Sequence, residues 1–309
     1  MVECPPSRGG RCQDVLGGCC PIAKAARRTA SVEPDGRPLL EGEAMRQGWE
    51  DVIKVYEQPE LESPALVAAW PGVGNVALTA ATYLSEELGA QEFAEIAPLS
   101  FFDLNGAFIE RNVIQEPRLP QSKFYYWKSS PGKKDLVLFL GEAQPVAQNY
   151  ELANKILEFS QKLGVTVVYT VAAALVPHLA EKPRVWAAAT DSELLTGLES
   201  YGLVLKGNFY VAGMNGLLLA VAREKGMKGI CLLGETPRYL GDMGNPMASQ
   251  SVLQVLTRVL DVDIDMSRME EMVRRAQREI SEAIRESRRQ YIDNFTVPLW
   301  ERPSDEEKG

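Results

Sequence analysis

ALVAAWPGVGNVALTAATYLSEEL, residues 65–88, reads as three pieces in succession. Ala65–Trp70 is an unbroken apolar run of strand length. Pro71-Gly72-Val73-Gly74-Asn75 has the chemistry of a turn. Asn75–Leu88 carries helical periodicity and meets Gly89, a residue suited to closing a helix. With Ala77 the turn spells G-x-G-x-x-A, the short form of a dinucleotide-binding fingerprint. A strand feeding a glycine turn and a helix is where an open α/β sheet offers a site, because the free amides of the helix start face what lies beyond the strand. In a dinucleotide site Gly72 gives the tight turn and Gly74 the close approach to pyrophosphate, with Glu92 or Glu95 near the offset of a ribose-binding acid. The alternative is a turn whose glycines serve the backbone alone. Pro71 is atypical before the first glycine, and Ala77 is weaker than a third one.

The same alternation continues along the chain. Gln91–Ala97, Asp135–Leu140, Val165–Val171, Arg184–Thr190 and Lys228–Leu233 read as strands. Gln148–Leu163, Asp191–Glu199, Gly213–Lys225 and a segment capped by Asn245 and opened by Pro246 read as helices. Residues 100–127 read as a β-rich meander, with Ala107–Ile114 and Lys123–Lys128 as its extended parts. Strands interleaved with helices predict an α/β fold with three layers, a mostly parallel or mixed sheet carrying helices on both faces. A long C-terminal helix follows, from Ser267 to about Tyr291, with a capping box at Ser267 and Glu270. Met269, Val273, Ala276, Ile280 and Ala283 form a narrow stripe in 4-3-4-3 spacing. The pairs Glu270–Arg274, Glu271–Arg275, Arg275–Glu279 and Arg278–Glu282 lace its polar face. Such a seam suits a subunit contact or packing on its own domain.

Composition excludes several function classes. The 309 residues carry a formal net charge of −9, whereas a nucleic-acid partner calls for a clustered basic face. Runs such as Leu217–Ala222 fall far short of a membrane span. A single histidine, His178, disfavours a His-rich metal site or a Ser-His-Asp triad. Cys4, Cys12, Cys19 and Cys20 lack zinc spacing, and Cys231 sits in an apolar strand, a pattern that fits a reduced, cytoplasmic protein. No metal or cofactor is predicted. Residues 1–44 are rich in Gly, Pro, Cys and Arg without a period and are predicted to be a disordered extension. Met45 opens the globular pattern. The α/β domain is expected over 50–265, and the helix with a mobile acidic tail over 266–309.

Two strands finish alike, Leu140-Gly141-Glu142 and Leu233-Gly234-Glu235. Carboxyl ends of parallel strands share one edge, so Glu142, Gln144, Glu235 and Arg238 are expected to converge with Gly72, Gly74 and Asn75 on one cleft. Two carboxylates there would suit acid–base chemistry. Helix capping and surface salt networks are the competing uses. Gly213-Met214-Asn215-Gly216 reads as a helix start, and Phe124-Tyr125-Tyr126-Trp127 as a strand with alternate residues in the core.

PGVGNVA after one buried strand, GEAQP after a second, GMNGLLL at a helix start and LLGE followed by NPMASQSVLQVL together resemble the proteasome assembly chaperone family. The likeness is to its archaeal and bacterial branch, related to chaperone 2, and covers roughly residues 52–265. The resemblance implies a three-layer α/β fold like the nucleoside phosphorylases (a phosphorylase/hydrolase-like sheet), homo-oligomers, proteasome-like subunits as partners, and no established catalytic residues. Archaeal members can end in a hydrophobic-tyrosine-any tripeptide that docks into a proteasome ring; the sequence here ends Glu307-Lys308-Gly309. Two functions are therefore expected: a non-enzymatic scaffold for protein subunits, or a small-molecule enzyme or sensor using the cleft.

Overall fold

A computed structural model of the chain describes residues 52–296 except 104, 105, 108, 179, 181, 241 and 242, with side chains in the last helix up to 283 and at 285 and 286. The expectations for residues 1–44, Met45 and the tail beyond Thr296 lie outside the described residues.

The core is one eight-stranded mixed sheet. Its strands are β1 (Ile53–Val55), β2 (Ala65–Ala69), β3 (Gln91–Ile96), β6 (Ser122–Trp127), β7 (Leu136–Gly141), β8 (Val167–Val176), β9 (Val185–Ala189) and β10 (Lys228–Pro237). Their spatial order is β1-β3-β6-β7-β2-β8-β10-β9. The four central strands β7, β2, β8 and β10 run parallel, and every outer pairing is antiparallel. The central strands are buried on both faces, which is why they read as continuous apolar runs.

Helices α1 (Val76–Glu87) and α5 (Pro246–Leu260) cover one face, over Val67, Leu138, Tyr169, Val171 and Leu232. Helices α2 (Asn149–Lys162) and α4 (Met214–Glu224) cover the other. There Phe159 stacks on Phe93 and meets Phe124 edge-on, and Trp70 packs against Phe139 at 5.0 Å. A short α3 (Ser192–Thr196) follows β9, its start capped by the Asp191 carboxylate on the Leu194 amide. Helices on both faces of the sheet give the three-layer α/β architecture.

The expected meander holds a separate hairpin, β4 (Ile109–Glu110) and β5 (Val113–Ile114), turned through Arg111 and Asn112 at positive φ. Two local readings change. The two Gly-Glu strand ends are not equivalent. Glu142 follows β7, whereas β10 runs on past Glu235 to Pro237 because β8 pairs with it through Val176. The last helix, α6 (Ser267–Thr296), is started by the Asp265 carboxylate accepting from the Ser267 N–H (2.9 Å), not by a Ser267–Glu270 box. On its polar face Arg274 pairs with both Glu270 and Glu271, and Arg275 with Glu279.

Candidate functional site

The glycine turn sits between the starts of two helices. The Asn75 N–H closes it on the Gly72 carbonyl (2.8 Å), with Gly74 and Asn75 at φ 62° and 48°. The Asn245 N–H donates to the Gly74 carbonyl (2.7 Å), while the Asn245 side chain caps α5 through Ala248 and donates to the Thr236 hydroxyl. A Cβ at Gly74 would lie 3.0 Å from Asn245 Cβ and 3.1 Å from Thr236 Cγ2. Gly74 therefore lets the turn press onto the cap of α5. Gly72 is extended, and a Cβ there would meet only Asn215 Nδ2, at 3.8 Å.

On the opposite side, two amide side chains bind the turn to α4. Buried Asn215 accepts from the Trp70 N–H (3.0 Å) and donates to the Trp70 carbonyl (3.2 Å). Gln144 donates to the Pro71 carbonyl (2.7 Å) and accepts from the Met214 N–H (2.9 Å). The first amide of α4 is thus already occupied by a neutral oxygen. Neither amide role was legible beforehand: Asn215 was expected at a helix start, but its partners lie 145 residues away.

Beside this junction lies a cavity of about 620 Å³. It is bordered by Pro71–Val73, Gln144, the second half of β8, Trp186, Leu233 and the segment Gly207–Gly213. The expected convergence is partial. Gly72 and Gln144 border the cavity. Gly74 and Asn75 do not, and Gly74 is buried against Asn245. Glu142 lies in a separate hollow, where it accepts from Arg118 Nη2 (2.9 Å) and the Gln121 N–H (3.0 Å). Arg238 is exposed in the single turn after β10.

Glu235 is 4% exposed and fully engaged. Its Oε1 accepts from Arg184 Nε (2.9 Å), Arg184 Nη2 (2.7 Å) and Trp186 Nε1 (3.0 Å), and its Oε2 from the Arg184 N–H (3.1 Å). Burial alone pushes its carboxyl up. The hydrogen bonds from Arg184 and Trp186 outweigh that and hold it below the ordinary carboxylate range. Glu235 and Glu142 therefore do not face each other across a cleft, and each is bound to an arginine of its own. Glu235 instead fixes the polar edge of the Trp186 indole, whose ring borders the cavity and meets Phe209 edge-on at 6.2 Å. The sequence does not mark Arg184 and Trp186, because a mid-strand acid finds its partners only across the β9–β10 register.

The stripe on α6 is largely used within the chain. Met269 is fully buried in the main core. Ile280 and Val273 pack with Leu240 and Met247. The Tyr83 hydroxyl donates to the Asp265 carbonyl (2.7 Å) and accepts from the Met269 N–H (3.1 Å). Arg268 lies over the Tyr83 ring and pairs with Glu86 and Glu87. Of the two uses expected for the stripe, packing on its own domain takes up Met269, Val273 and Ile280, since they meet the apolar surface of that domain. Ala276 is half-buried and Ala283 exposed.

Among the described residues no cluster of His, Cys, Asp and Glu has the geometry of a metal site, and no helix is long and apolar enough to cross a membrane.

Residues 66–284 match the PAC2 family. The fold is similar to PbaB of Pyrococcus furiosus, an archaeal proteasome activator, at 31% identity and a TM-score of 0.67 over 75% of this chain and 97% of that one. PbaA of the same organism, an archaeal homolog of proteasome-assembly chaperone, matches at 25% identity and a TM-score of 0.57 over 76% of this chain and 99% of its own. The uncharacterized protein MJ1210 of Methanocaldococcus jannaschii is 29% identical over 221 residues, 70% of this chain and 81% of the relative. With the match running from β2 into α6, this chain belongs to the PAC2 family.

Proposed function

We propose that this protein is a non-enzymatic, oligomeric, cytoplasmic member of its family that binds protein subunits, and that those subunits are proteasome-related. The observation that carries the reading is the likeness over three quarters of the chain to one protein that is a proteasome activator and another that is a homolog of a proteasome-assembly chaperone.

The surface supports it. Ile109, Val113 and Ile114 on the β4–β5 hairpin are all more than half exposed, as are Leu99 and Val146. The loops of the last two are joined by the Val146 N–H donating to the Phe101 carbonyl (3.0 Å). Branched apolar side chains gathered in water gain by burial against a partner. Ala276 and Ala283, on the narrow stripe of α6, are the residues assigned to contacts between copies.

Native mass spectrometry of the full chain, affinity-purified from its own cells, tests this. The expected species is an oligomer carrying proteasome-type subunits, which the triple change Ile109→Ser, Val113→Ser, Ile114→Ser releases without lowering the melting temperature. A bare oligomer under conditions where such subunits are expressed would overturn the reading.

A further inference from the structure

Strand β8 outruns its neighbour. On one side it pairs with β10 along its whole length, from Val167 to Val176. On the other side β2 pairs only with Val167–Thr170 before the chain leaves the sheet at Trp70. Beyond Thr170 β2 offers β8 no partner; Val171 and Ala172 are buried there, and Ala173–Val176 are partly exposed with no strand paired on that side. This leaves about four residues of accessible strand edge, Ala173–Val176, roughly 13 Å at 3.3 Å per residue, in the middle of the sheet instead of at its rim. An unpaired run of N–H and C=O groups is a template for another strand.

The cavity opens beside this edge, and its chemistry is one-sided. Ala172, Ala173 and Ala174 leave space where larger side chains would fill it, and Leu175, Val176, Leu233, Phe209 and Val211 complete apolar walls. None of the described lining residues is charged. Both polar side chains at its inner end, Gln144 and Asn215, are spent on backbone groups, and the α4 amide that would attract an anion is held by Gln144. Asn208 and Tyr210 are the other polar lining residues, and with no cationic side chain a phosphate or carboxylate would lose its hydration here without gaining a charge partner. Its volume falls within the range of about 300–1,000 Å³ typical of formed pockets.

We infer that the open edge of β8 at Ala173–Val176, with the adjoining cavity, is a receptor for an extended segment of a partner polypeptide that adds a strand to the sheet and seats an uncharged aromatic or branched side chain between Ala174, Leu233 and Trp186. This rests on the subunit-binding reading above and gives that partner a chemistry. Backbone pairing supplies affinity, and the apolar cavity supplies selectivity at one alternate position. Glu235 acts as a positioning residue by holding the Trp186 indole in the wall. A small apolar molecule could fill the cavity but would leave the strand edge unpaired.

The test uses the full chain and a short, capped, fluorescent peptide in which threonine and valine alternate around a central phenylalanine. Anisotropy should show saturable binding, and amide exchange at Ala173–Val176 should slow in the complex. Replacing the central phenylalanine by aspartate, or N-methylating alternate peptide amides, should each weaken binding by at least about tenfold. Ala174→Phe, which fills the cavity, should do the same. Leu175→Lys, at an exposed edge position, gives a second reading if the first variant folds poorly. The inference is overturned if the peptide does not bind. It is equally overturned if exchange at β8 is unchanged, or if only the neutral dye N-phenyl-1-naphthylamine enters the cavity. Loss of peptide binding while proteasome-type subunits still copurify would sink this inference alone. Peptide binding with no copurifying subunit would sink only the functional reading.

Discussion

Alanine at Gly74 and alanine at Gly72 should behave differently, although the two glycines share one fingerprint. Gly74 has φ 62°, where a Cβ costs about 1–2 kcal/mol. The new Cβ would also press on Asn245 Cβ at 3.0 Å and Thr236 Cγ2 at 3.1 Å, a mild overpacking of about 1 kcal/mol. Reduced freedom of the unfolded chain returns about 0.4–1 kcal/mol. The sum is a loss of about 1–3 kcal/mol for Gly74→Ala, or a melting point lower by roughly 3–10 °C for a domain of this size. Gly72→Ala puts a Cβ in extended backbone with Asn215 Nδ2 at 3.8 Å, and should stay within about 0.5 kcal/mol of the parent. Urea and thermal melts of the two variants, without ligand, measure the difference. Equal stability of the two, or a larger loss at Gly72, would refute the assignment of Gly74 to packing. It would return the turn to the ligand-approach reading, in which stability of the free protein does not depend on Gly74.

Two further outcomes follow from the same junctions. Asn215→Ala strips both partners from the buried Trp70 N–H and carbonyl, and should cost about 1–3 kcal/mol for each group left unsatisfied, seen as a lower urea midpoint with an unchanged slope. Glu235 has a depressed folded pKa, so its stabilisation is present above the ordinary carboxylate value of 4.5 and disappears as pH falls through the lower folded value. The melting-point gap between the parent and Glu235→Gln should therefore be widest at neutral pH and narrow in acid; a gap that widens on acidification would contradict it.

The order of elements was determined by the sequence. Continuous apolar runs such as Leu136–Leu140 mark strands buried on both faces, and glycines at positive φ close helices at Gly89, Gly164 and Gly226. These are local properties, set by side-chain period and backbone freedom, and the resemblance carried by PGVGNVA, GEAQP, GMNGLLL and LLGE rests on them. The site was legible only in part. Gly72 and Gln144 do border a common cavity, but Glu142, Glu235 and Arg238 were grouped by their shared position near strand ends, and direction along a strand says nothing about which way a side chain finds its partner. Arg184 meets Glu235 across 51 residues, and Asn215 meets Trp70 across 145. The stripe on α6 has the spacing of a helix pair, yet spacing cannot name the surface it covers. Tyr83, Leu240 and Met247 came together to take it. The open edge of β8 exists only because β2 stops short beside it, a difference in length between two strands separated by almost a hundred residues, which register in the folded sheet alone decides.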